Sequence, residues 1–179
     1  MKKISTVVVI FFALVLSACS STQSLQEYYV DNTENPNFLF LDVPASILNL
    51  EEANLTETQR AALSSLKKLN ILAFKKTIEN SGEYKIEKTN IKAILDREEY
   101  TELMKMNTEF GRATIKYLGA EDAIDEVIIF GDNKEKGFAL VRVLGKNMNP
   151  ANFMQLMQAV QKSSYKGEGL SELGELFKG

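Results

Sequence analysis

The sequence predicts an α+β domain, a two-layer sandwich with a mixed β-sheet of about five strands in the order β-α-β-α-β-β-β-α and its helices on one face. Three observations carry this. Short β-prone apolar runs recur at residues 38–41, 71–74, 127–130 and 138–144. Two segments that open on capping residues continue with apolar side chains at helical spacing. The strand-like runs then crowd into the second half of the chain, where one follows another without a helix between them. A ferredoxin-like fold, differing by one strand, is the alternative.

Phe38-Leu39-Phe40-Leu41 is apolar on both alternating faces, as an interior strand would be, and stops at Asp42 and Pro44, whose ring removes an N–H. Thr56-Glu57-Thr58-Gln59 has the form of a capping box, and Ala62, Leu63, Leu66 and Leu69 follow at helical spacing, predicting a helix over residues 57–68. Residues 71–74 make the second strand, and strand, helix, strand in that order imply a right-handed crossover with parallel strands. Asn80-Ser81-Gly82 is a turn. Ile91, Ile94, Leu95, Leu103 and Met104 give residues 87–107 helical character, with a phase slip at Asp96-Arg97-Glu98-Glu99 that leaves one helix or two.

Gly111 closes that region. Ala113, Ile115 and Tyr117 alternate with Thr114 and Lys116, residues 127–130 are continuously apolar, and residues 138–144 complete a three-stranded meander whose last turn is GDNKEKG at 131–137. Asn149-Pro150 supplies an N-cap and a proline at the first helical position, and Phe153, Leu156, Met157 and Val160 then fall at i, i+3, i+4 and i+7. Residues 37–162 are thus expected to form a single domain. In the remaining segment, 163–179, Gly167 and Gly169 mark a break before Leu170, Leu173, Leu176 and Phe177 recur at helical spacing. A helix this short, with Gly174 inside it, is ordered only where its leucines are buried, so it is expected to dock on its own domain; the alternative is a free amphipathic element offered to a partner. Truncation before Gly167 should then lower the melting temperature by several degrees.

Composition removes whole classes of chemistry. The 179 residues are 45% hydrophobic and 25% charged with 3 Pro, the profile of a globular chain long enough to bury a core without disulfides. Lys and Arg number 21 against 24 Asp and Glu, a net charge of −3, so no basic footprint for nucleic acid is present. There is no His, which excludes Ser-His and Cys-His nucleophile pairs and imidazole-ligated metals. No enzyme activity, cofactor or metal is expected.

The N-terminus reads as an export signal. Lys2 and Lys3 precede an unbroken apolar run at residues 7–16, about half the roughly 20 residues that span a bilayer. Leu16-Ser17-Ala18-Cys19 follows at once and resembles the bacterial lipobox, in which the leader is cut before a cysteine that carries diacylglycerol. Residues 1–18 are therefore expected to be removed and Cys19 acylated; one acyl chain attaches weakly and two attach stably. Removing Lys2 and Lys3 leaves 19 basic against 24 acidic residues, so lipid rather than overall charge would hold the protein to its membrane. Ser20, by resemblance to the sorting rule of two-membrane bacteria, favours the periplasmic side of the outer membrane. Polar residues 20–36 are expected to form, with Cys19, a flexible tether reaching about 55 Å when extended.

Val43-Pro44 at the end of the first strand, the run Glu99-Tyr100-Thr101-Glu102-Leu103-Met104, the hairpin VIIFGDNKEKGFALVRVLG and the final NPANFMQLMQAV together resemble bacterial lipoproteins of domain of unknown function 4252. The resemblance covers about residues 38–161. It implies an envelope-facing lipoprotein and carries over no active-site residue.

Candidate sites are few. Asp132-Asn133-Lys134-Glu135-Lys136-Gly137 has the Asp and Gly of a calcium loop but lysines where oxygens are needed, and Asp31-Asn32-Thr33-Glu34-Asn35-Pro36 has Pro where Gly is needed. Both read as solvated turns. The pairs Glu51-Glu52, Glu98-Glu99, Glu121-Asp122 and Asp125-Glu126 point apart in either secondary structure and clamp no bond. Lys67-Lys68 and Lys75-Lys76 read as a solvated rim, and Met148, Met154 and Met157 as core filling beside Phe153. Phe153, Met157, Leu173 and Phe177 form the candidate ligand or partner surface. The function expected is a non-enzymatic accessory lipoprotein that binds another envelope protein. The alternative is a binder of lipid or a small hydrophobic ligand, in a cavity lined by Phe153, Met157, Phe130 and Phe138.

Overall fold

The computed structural model describes residues 23–48, 54–108, 111–120 and 123–162, and the first described element opens at Ser24. Ser24 and Glu27 close a reciprocal capping box on helix α1, Leu25–Asp31. Its Leu25, Tyr28 and Tyr29 are almost completely buried. The polar stretch expected to be tether to residue 36 therefore contains a docked helix, because one apolar stripe of three large side chains outweighs its polar surroundings.

Strand β1, Phe38–Pro44, leads into a 3-10 turn at Ala45–Leu48 and then to α2, Glu57–Ser65, where the capping box of Thr56 and Gln59 is present as expected. Strand β2, Leu66–Lys75, starts directly at the helix end. Helix α3, Ser81–Leu95, is followed by β3 (Thr101–Asn107), β4 (Arg112–Ala120), β5 (Ala123–Asn133), β6 (Gly137–Met148) and α4 (Pro150–Lys162). Asn149 caps α4, its side chain accepting from the Asn152 N–H at 3.1 Å.

These strands form one six-stranded sheet in the order β1-β2-β6-β5-β4-β3, every neighbouring pair antiparallel. This corrects the expectation of a mixed sheet of about five strands. The parallel crossover does not form: β1 and β2 are direct neighbours and antiparallel. The chain turns over at the Pro44 end instead, pairing Pro44 with Lys68. The expected helical character of residues 101–107 is also overturned. The phase slip at residues 96–99 is a turn, closed by the Tyr100 N–H donating to Arg97 O at 3.1 Å, and Met104 and Met106 then alternate with Lys105 along β3.

Helices cover both faces of the sheet rather than one. Leu69, Ile71, Ile115, Tyr117, Val127 and Val143 turn toward α2 and α4, where they meet Ala62, Phe153 and Leu156. Alternate residues of the same strands, among them Leu72, Phe74, Ile128, Phe130, Phe138 and Leu140, turn toward α1 and α3 and pack on Tyr28, Tyr29, Tyr84, Ile91 and Ile94. The two-faced apolar pattern of residues 38–41 comes from this double cover, so β1 is an edge strand and not an interior one. The ferredoxin-like alternative does not form.

Candidate functional site

The α1/α3 face is covered unevenly. Helix α1 lies over β2 and β6, where the Tyr29 hydroxyl donates to Asn70 O at 2.5 Å and Leu140 O at 3.0 Å. Beneath it a charged pair is buried: Arg142 makes a two-pronged contact with Glu126, Nε to Oε1 at 3.0 Å and Nη2 to Oε2 at 2.7 Å. Arg142 also donates to Gln26 Oε1 at 2.5 Å and lies 5.4 Å from the Tyr29 ring centroid. One guanidinium thus ties the sheet to α1. Burial presses Arg142 downward, but Glu126 outweighs it and holds the guanidinium above its ordinary value.

Helix α3 lies farther along the same face. At its start Tyr84 donates to Asp132 Oδ1 at 2.8 Å, and Lys88 to Asp132 Oδ2 at 2.6 Å. Asp132 is thereby committed to α3, and the loop that opened the calcium reading is a tight hairpin. Gly137 in it has φ 123°, and a Cβ there would lie 1.9 Å from Phe74 O.

Past α3 the outer strands β4 and β3 carry a groove of about 280 Å³. Lys92, Leu95 and Asp96 of the helix end form one wall; Arg112, Thr114 and Lys116 of β4 with Glu102 and Lys105 of β3 form the other; Ile128, Phe130 and Asp132 line its floor. Alternation along β4 explains the wall: Ala113, Ile115 and Tyr117 are buried on the opposite face, so Arg112, Thr114 and Lys116 must face this one. Lys116 lies low in the groove, donating to Leu95 O at the α3 C-terminus and standing 3.9 Å from Asp96. Glu102 pairs with Lys105 at 2.9 Å. Among the described residues the side chains of Arg112 and Lys92 meet no acceptor.

The sequence-predicted surface is not assembled as expected. Phe153 is buried at 2% exposure against the α2/α4 core, and Met157 packs beside it. Phe130 and Phe138 lie on the opposite face with ring centroids 5.8 Å apart, so the four cannot line one cavity. Cys19, Leu173, Phe177 and the whole C-terminal segment lie outside the described residues. The buried Arg142–Glu126 pair and the groove were missed. The signal for the pair was Glu126 just before the apolar run 127–130 and Arg142 as the one charge within the apolar run 138–144.

Six antiparallel strands with two helices on each face and a charged groove at one side define an α+β sheet domain. The chain belongs to the family described as domain of unknown function (DUF4252), whose model matches residues 28–156. The match starts within α1 rather than at residue 38. No curated protein and no solved structure matches the chain.

Proposed function

We propose that the chain is a bacterial envelope lipoprotein whose folded domain is a non-enzymatic binding module, an accessory to another envelope protein. The observation that supports this best is how close ordered structure comes to Cys19. Among the described residues the first helix is capped by Ser24, five residues after Cys19, which itself ends the string Leu16-Ser17-Ala18-Cys19 behind an apolar run. With Cys19 acylated, residues 20–23 reach only about 14 Å, so the domain stands at the membrane and not on a long tether. Among the described residues no helix is long and apolar enough to cross a membrane. In this reading the acyl chains do the attaching, and Ser20 favours the outer membrane.

Binding is preferred over catalysis because the buried ionisable groups are spent on one another: Arg142 on Glu126, Lys88 and Tyr84 on Asp132. The groove, by contrast, offers cations to a visitor.

Mass spectrometry of the purified protein is expected to show a mature N-terminus at Cys19 bearing lipid. A free Cys19 thiol or a different N-terminus overturns the anchoring. Cys19→Ala should release the domain from membranes. Cross-linking in native membranes should then yield one partner protein in stoichiometric amount, lost on release of the anchor; recovery of the protein alone argues against an accessory role.

A further inference from the structure

We propose that the groove between α3 and strands β4 and β3 binds a phosphate group, and that its source is an anionic lipid headgroup at the anchoring membrane. The placement at a membrane rests on acylation of Cys19; the phosphate chemistry does not. Lys92, Lys105, Arg112 and Lys116 converge from three elements, with the Thr114 hydroxyl among them. The three carboxylates in the lining leave a positive excess: Glu102 takes up Lys105, but Lys92, Arg112 and Lys116 remain. Asp132 is held by Lys88 and Tyr84, Glu102 by Lys105, and Asp96 is 80% exposed at the rim. Arg112, a planar fork suited to phosphate oxygens, and Lys92 remain uncommitted among the described residues. Leu95, Ile128 and Phe130 give the floor a low-dielectric wall that strengthens attraction to an anion.

Size and position select the source. A volume of about 280 Å³ takes a phosphate on a small polar body. Arg97 Nη1 donates to Gln23 O at 3.4 Å, fixing the residue four places after Cys19 beside the turn that follows α3. That is the end of α3 whose Leu95 carbonyl accepts from Lys116 of the groove. Gln23 and the groove therefore share one end of the domain, and with Cys19 acylated only four residues before Gln23, headgroups are the anions held within reach at high local concentration. The net charge of the chain from Cys19, 19 basic against 24 acidic residues, opposes this only weakly, since charges beyond about 8 Å are screened at physiological salt while the groove cations meet the phosphate directly.

The test is partition of the full chain onto vesicles of phosphatidylcholine alone or with phosphatidylglycerol at physiological salt. The natural sequence should prefer the anionic vesicles about tenfold. The pair Lys92→Gln with Arg112→Gln, both exposed and with the fold checked by circular dichroism, should lose that preference. Lys75→Gln with Lys76→Gln removes the same charge at the other end of α3, where Lys76 meets Lys134 O and the Tyr84 ring, and should keep it. Equal partition onto both vesicles, or loss in both pairs alike, overturns the groove as a site. Inorganic phosphate at matched phosphorus should leave the preference standing; if it abolishes it, the headgroup assignment falls. Mass spectrometry of Cys19 in the same preparation reads the anchoring separately, and an unmodified thiol with the preference intact refutes the anchor alone.

Discussion

Arg142 and Glu126 show what one residue pair costs and holds. Their side chains are 10% and 7% exposed, so each depends on the other for its charge to be tolerated. Arg142→Leu should destabilise the domain by about 3–5 kcal/mol in urea unfolding, because it strands the Glu126 carboxylate. Adding Glu126→Leu should recover most of that loss. The cluster of Tyr84, Lys88 and Asp132 contributes to the alkaline limit beside Tyr28, Tyr29 and Tyr100, whose hydroxyls burial also raises. Burial and the Asp132 hydrogen bond raise the Tyr84 hydroxyl, and Lys88, which burial alone would lower, is raised by its hydrogen bonds to Asp132 and Tyr84. Both folded values stand above the unfolded ones. Their stabilisation is therefore complete below pH about 10 and lost as pH rises above it, which the urea midpoint measured from pH 8 to 12 should trace. Lys88→Met should flatten that decline.

Elements whose ends are written locally were legible in the sequence. Thr56 with Gln59 and Asn149 with Pro150 announce α2 and α4, and the observed starts agree. Helix α1 carries the same signature in Ser24 and Glu27, but seven residues with three apolar anchors are too few to stand out in a polar stretch. Strand β3 was misread because Leu103 and Met104 are adjacent apolar residues, compatible with either period; the register shift between Glu102 and Met104 accommodates that doubling in the strand. Two outcomes test the weight placed on α1. Tyr29→Phe deletes hydrogen bonds to Asn70 O and Leu140 O and should cost about 1–2 kcal/mol. Ser24→Ala should cost about 1 kcal/mol by removing the cap, with thermal melts as the readout for both.

At the scale of the molecule, the sequence carried the α+β class and the run of sequential strands but not the layering. A helix with one apolar stripe says that it covers a sheet, not which face it covers. That choice depends on where the chain crosses, as does the groove, whose Lys92, Lys105 and Arg112 are brought together only by register. The strand order has a consequence for how the chain acquires its structure. Strands β3 to β6 pair in sequence and β1 pairs with β2, so each group closes through local contacts, whereas β2 meets β6 across 62 to 79 residues, from Lys75 with Gly137 to Leu66 with Gly145. Closing so long a loop is the entropically expensive event, and it should limit the folding rate. Both cores straddle that seam: Ile71 and Val143 on one side, Phe74 and Phe138 on the other. Neither half can bury its apolar face until the seam closes. Tyr117 on one face and the four buried tyrosines on the other should therefore report the same refolding phase, and the same unfolding midpoint, as far-ultraviolet circular dichroism.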